Sequence, residues 1–460
     1  MWRTLLVCAL ALISPLSGRA AEKPDAAQIV IRMTVKPMPA PKPALKYQLL
    51  PELREMNPGN PIQAYAKCFA EQHNFFFSKD VAEKRELWQK LPLKDLPVSE
   101  MQYYKTYRGR GPLGLADQAA RLDTPDWQIL IPLKNEGLHL LLPDVQQLRT
   151  LAGALKVRFR LELAEGRLDD AFVTAKTMLA LSRHMGEHPS LIGELVAIAI
   201  ASLTLETVDE FIQQPGCPNL FWALTDLPSP FIDLRKGSQA DRLMLEKEFA
   251  LLNEREPMTD EQLHKVIEHY SELIRGFGNT NAKELKKAET WMRERLGNED
   301  YLRAARQRLI EYGLNEDAVA KFPKLQVFLL DQGREVKIWR DELNKALALP
   351  YWQASRILDA APRLQIDTNY LFFGTLPIKV KHAQARLDQR LALLRCVEAL
   401  RLYAAEHNDS LPEKLDDIPL PLPVDPATGK PFRYKVESGT AHLEGANLVI
   451  PVRYEVTIAK

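Results

Sequence analysis

The chain has 460 residues, 46% hydrophobic and 26% charged, a soluble globular profile that excludes disorder, collagen-like repeats and a disulfide framework. Single cores stop growing near ~250–300 residues, so this length implies at least two packed units or an extended helical array. The 61 basic and 60 acidic residues give a net charge of +1, with no global field to recruit nucleic acid or anionic lipid.

The first twenty residues read as a secretory signal peptide. Arg3 supplies a basic start, Leu5 to Ile13 an apolar stretch, and Gly18-Arg19-Ala20 small residues at −3 and −1 of a cleavage point after Ala20. A membrane anchor needs ~20 apolar residues, well beyond this run. Cleavage removes Arg3 and Arg19 from the net +1 and leaves −1. Cys68, Cys217 and Cys396 remain; their spacing matches no metal set, and either one bridge or three buried thiols would satisfy them.

Residues 21–60 form an extended N-terminal segment. Ile29, Ile31, Met33 and Val35 alternate as in a half-buried strand, which is expected to pair with 448–458. Pro then stands at every second position from Pro37 to Pro43, a stiff extended spacer. A helical body follows over 61–375. Val145, Leu148, Ala152, Leu155, Phe159 and Leu163 draw one helical stripe ended by Gly166, and a second stripe begins at Leu168. Together 145–185 reads as an αα-hairpin, and 191–212, apolar nearly all round, as a central buried helix. Glu194 and Glu206 bracket too few uncharged residues for a membrane span. Residues 235–312 carry mixed charges at helical spacing, as solvated helices do. Further helices are expected at 324–347 and 379–406, with a connection at 367–375. Beyond Asn408 the prolines at 412–426 forbid long helices, and 432–436, 441–443 and 448–458 read as short strands.

The fold class is therefore mainly α, a helical-hairpin body with a small C-terminal α+β unit over 376–460. The balance of 21 Gly to 32 Pro suits helices joined by rigid connections.

Three likenesses attach to particular residues. Ala164 to Ala171 is similar to the turn of a tetratricopeptide repeat, but Phe159 and Arg183 stand where that family has small and Pro residues, and no second copy follows at its spacing. Tyr403-x3-His407-x3-Leu411-Pro412, followed by Asp425-Pro426-x-Thr428-Gly429-Lys430-Pro431-Phe432-Arg433-Tyr434, resembles the globular domain of type II secretion major pseudopilins. That resemblance implies a reused helix-and-sheet fold, because the polymerising helix and calcium-binding tail of that family are missing here. The same C-terminal pattern, with Pro218 to Pro228 and the preceding hairpin, resembles large uncharacterised exported helical proteins of planctomycete type, a likeness that implies no activity.

One short pattern bears on chemistry. His184-Met185-Gly186-Glu187-His188 spells H-x-x-E-H, in which His184 and His188 would bind a metal and Glu187 would act as base. Gly186 and Pro189 weaken the helix this needs, and the competing reading is a helix C-terminus with both imidazoles at its negative end. Gly429-Lys430 lacks a Gly-rich loop, so no nucleotide motif and no cofactor is indicated. A loop around Gly109-Arg110-Gly111 could hold an anion. The runs Phe75-Phe76-Phe77 and Phe221-Trp222 read as core. The sequence thus favours a non-enzymatic interaction or scaffold protein of the periplasm or cell envelope, with protein partners, no nucleic acid and no span after signal removal. Its rivals are an exported metal-dependent hydrolase and an auxiliary component of an envelope secretion system.

Overall fold

The computed structural model describes residues 28–105, 111–137, 140, 142–248, 255–277, 282–360, 376–448 and 451–459. The signal segment 1–20, most of the loop before Gly111 and the connection 367–375 lie outside the described residues. The described chain opens with strand β1 (Ile29–Val35), followed by helices α1 (Pro61–Glu71), α2 (His73–Phe77), α3 (Lys79–Trp88), α4 (Gly114–Ala119) and α5 (Leu130–Glu136). Next come α6 (Pro143–Ala164), α7 (Leu168–Gly186), α8 (Leu191–Phe211), α9 (Phe221–Thr225), α10 (Arg235–Glu248) and α11 (Asp260–Phe277). Then come α12 (Ala282–Gly297), α13 (Glu299–Glu311), α14 (Glu316–Lys321), α15 (Lys324–Leu347), α16 (Tyr351–Ala360) and α17 (Leu376–Glu406). Strands β2 (Arg433–Glu437), β3 (Thr440–Glu444) and β4 (Val452–Ile458) close the chain. The fold is mainly helical with one small mixed sheet, as the sequence predicts.

Two compact units share this chain, one holding 129–141 and 238–379, the other holding 28–128, 142–237 and the residues from 380 onward. This division departs from the sequential boundaries at 60 and 375. Residues 61–128 and 142–237 fall with the C-terminal helix and sheet because they share buried partners. Asp209 on α8 binds Arg390 on α17 at 2.6 Å and Tyr454 on β4 at 3.2 Å.

In that second unit, α6, α7 and α8 form consecutive antiparallel neighbours. Pro143 starts α6 at a position where its missing N–H costs nothing. Gly166 ends it with φ +71, and the Arg167 N–H reaches back to the Glu162 carbonyl at 2.8 Å. This is the left-handed C-terminal turn expected of glycine. Ser190 caps α8 by accepting the Gly193 N–H. By length and composition α8 is the one helix among the described residues apolar enough to cross a membrane, and most of it is buried inside the unit.

The sheet runs β1-β4-β3-β2. Strands β2, β3 and β4 form an antiparallel meander, while β1 adds to β4 in parallel, from Ile29 opposite Val452 to Val35 opposite Ile458. The expected pairing of the early strand with the last one is therefore present. Ser438 and Gly439, both at positive φ, make the β2–β3 turn.

The first unit has its own core, centred on Leu302, Leu309, Phe322, Val327 and Leu330. Beside it Asp331, 1% exposed, accepts from Arg308 at 2.6 Å. Exposed pairs such as Lys265–Glu261 fit the solvated charged helices expected there.

Candidate functional site

The residues of the H-x-x-E-H pattern sit where α7 ends and the chain turns into α8. Helix α7 stops at Gly186, so His188 lies beyond it. His184 is buried, and its Nδ1 faces the Tyr65 hydroxyl at 3.1 Å while the Leu122 backbone lies in hydrogen-bonding contact with the ring. Trp127 Nε1–H donates at 3.2 Å to the His184 carbonyl, which also accepts the Glu187 N–H at the helix end. His188 is 1% exposed, with its ring edge-on to Trp127 at 4.6 Å between centroids. Its Nδ1 lies 2.9 Å from Ser190 Oγ, which also accepts the Gly193 N–H at 3.0 Å.

Both imidazoles are held neutral. Burial, reinforced by Arg183, lowers His184 to about 4; burial, reinforced by Lys236, lowers His188 to about 3. Glu187 is half exposed, and its carboxylate meets Lys236 at 3.1 Å. A zinc site of this pattern needs both rings one turn apart on one continuous helix, with the Glu beside them. Here the helix ends between them, each Nδ1 faces a hydroxyl, and the Glu turns to a lysine. Among the described residues no group of three His, Cys, Asp or Glu side chains is placed to hold a metal ion. The arrangement locks Tyr65 of α1, the 122–127 segment and the start of α8 onto the end of α7. The competing reading, a helix C-terminus, describes where the two histidines lie.

Other chemistry-bearing side chains were hidden from sequence reasoning. The stripe on α6 predicts one buried face, yet Arg158, Arg160 and Glu162 on its other faces are buried too. Arg158 makes a two-pronged contact with Asp117 on α4 at 2.7 and 2.9 Å and also donates to Thr174 on α7. Burial pushes Glu162 up to about 7 against the pull of Arg158. Arg160 pairs with Glu210 and donates to the Trp88 carbonyl. On α17, Glu398 and Arg401 form a fully buried pair at 2.8 Å. Arg401 also donates to the carbonyls of Lys36 and Cys217, while Glu398 accepts the Leu220 N–H. Nothing in the local sequence marks these charges as inward: Glu398–Arg401 and Arg158–Glu162 have the spacing of ordinary solvated helix pairs, while Asp117 and Glu210 lie far along the chain.

Lys381, buried on α17, is lowered to about 8 by burial, and Asp388 is raised to about 7 by the same cause. Asp388 accepts the Phe231 N–H at 3.2 Å, and Gln384 between them donates to the Ile232 carbonyl at 2.6 Å. This face of α17 therefore fastens the 231–232 backbone. Cys68, Cys217 and Cys396 are free and buried, each thiol pushed up to about 12 chiefly by burial, so none of these is poised as a nucleophile. Phe75 and Phe76 are core as expected, whereas Phe77 reaches the surface.

Comparison with protein-family models, with curated proteins and with solved structures finds no match to this chain.

Proposed function

We propose that the protein is a non-enzymatic interaction or scaffold protein of the periplasm or cell envelope. The observation that carries this reading is the inward packing of His184 and His188, each hydrogen-bonded to a hydroxyl and held neutral by burial. The side chains that could do chemistry are tied into contacts that hold helices together. The address rests on the signal-like pattern of residues 1–20. Protein partners are supported by apolar side chains left outside the core, among them Leu53, 92% exposed, and Leu45 in the N-terminal segment.

The test uses the full chain as bait in an envelope extract, beside a variant carrying Leu45→Glu and Leu53→Glu. Loss of captured proteins from the variant alone is expected. Equal capture by both baits would overturn this reading.

A second reading, an auxiliary component of an envelope secretion system, is favoured by one feature. The 31-residue α17 leads into the β2-β3-β4 meander, the helix-then-sheet order of the pseudopilin-like unit. Co-purification with an assembled secretion machine would support it, and an unchanged yield of the protein from cells lacking that machine's inner-membrane platform would count against it.

A further inference from the structure

Strand β1 belongs to the C-terminal sheet by contact but to the other end of the chain by sequence. Arg32 and Glu455, which pair across β1 and β4 at 2.9 Å, are 423 positions apart. The strand is a self-contained insert. Met33 and Val35 are buried, Ile29 N–H bonds the Pro451 carbonyl, and Ala459 N–H bonds the Val35 carbonyl. Its exit is fixed by Arg401, which donates to the Lys36 carbonyl at 3.0 Å and accepts the Met38 N–H at its own carbonyl.

From Pro39 onward the chain changes character. Residues 42–46 are exposed, and the next fully buried side chain is Leu49. This strap carries Pro39, Pro41 and Pro43 and folds through a turn at 43–46, where the Lys46 N–H bonds the Pro43 carbonyl at 3.0 Å. Straightened to ~3.1 Å per residue, its eight residues would reach about 25 Å, enough to carry the strand to a neighbouring molecule.

We propose that the β4 edge is a strand-accepting site which takes β1 from a second copy of this chain, giving strand-exchanged assemblies. The occupant follows from the register. A second copy brings the same residues in the same order, so every backbone bond from Ile29 opposite Val452 to Val35 opposite Ile458 is remade between copies. The Arg32–Glu455 and Gln28–Glu444 contacts are remade with them. Such an exchange requires no new interface, only a hinge that straightens. The inference rests on the strand register and not on the proposed function.

The test places one cysteine on each side of the register. Thr34 and Thr457 face each other and both are exposed, while Cys68, Cys217 and Cys396 are buried, and both copies carry Cys8→Ser so that no other native thiol competes. Two full-length copies with different tags, one carrying Thr34→Cys and the other Thr457→Cys, are expressed in the same cell and treated with a short bismaleimide. A covalent species joining the two tags is expected, several-fold above that from either variant expressed alone. A chain carrying both substitutions must also cross-link, within one molecule or between two, which verifies the register. Cross-linking of the double variant only within single chains, with no mixed-tag species from the co-expressed pair, would overturn the proposal. So would equal linking by each single variant alone, which marks collision.

Discussion

At the scale of single residues, the close approach of Gly193 to His188 leaves no room for a side chain at the start of α8. A Cβ at Gly193 would lie 2.4 Å from His188 Nδ1. Helix propensity alone would favour alanine at this position by ~1 kcal/mol, but overpacking against a buried ring costs about 1–3 kcal/mol. Gly193→Ala is therefore expected to lower stability in denaturant titration. Combining it with His188→Ala should recover much of that loss, since the two residues are in contact. Equal losses with and without the ring would contradict the packing described.

The two imidazoles also give a pH dependence whose sign is fixed. Their folded-state values, about 4 and about 3, lie below the ordinary 6.5. Their contribution is then complete above about pH 6.5 and is lost as pH falls through the folded values, because the unfolded chain takes up protons first. Each ring adds a slope approaching ~1.4 kcal/mol per pH unit. Denaturation midpoints measured from pH 7 to pH 4 should fall, and a His184→Gln, His188→Gln variant should show a shallower fall.

At the scale of elements, the hairpin and its turns were legible because their signals are local. Gly166 sits with φ +71 and nothing within 4 Å of an added Cβ, so Gly166→Ala carries only backbone strain. A loss of about 1 kcal/mol is expected for that strain, measurable as a shifted midpoint with an unchanged slope. The buried charges of α6 and α17 behave differently. Removing one partner of such a pair leaves the other uncompensated, at about 3–5 kcal/mol. Glu398→Gln strands Arg401 beside Cys217 and Lys36, and Asp117→Asn takes from Arg158 its two-pronged partner and leaves it Glu162 at 3.7 Å. Both variants should lose several times what Gly166→Ala loses. An amphipathic pattern shows the apolar stripe, but it cannot show that Arg158 and Arg160 meet carboxylates from distant helices. That is why α6 reads as half exposed in sequence and is buried on every side from Leu151 to Leu163.

At the scale of the whole molecule, most helix limits and the final meander follow from periodicity and proline placement; the last helix begins three residues before its expected start and ends where expected. The grouping into units was not legible. It depends on Asp209, Arg390 and Tyr454 meeting across three elements, a contact that no local pattern encodes, although the alternation of 29–35 did point to its pairing with the last strand. The H-x-x-E-H pattern shows the same limit in reverse. Spacing alone suggests a metal site, whereas the end of α7 at Gly186 separates the residues that would form it. The central claim is that His184 and His188 join helices and do not bind metal. Its most direct test is the zinc content of the purified full chain after equilibration with zinc, measured beside His188→Ala. Less than stoichiometric zinc is expected in both proteins, with a lowered unfolding midpoint in the variant. One zinc per wild-type chain, absent from His188→Ala, would contradict it.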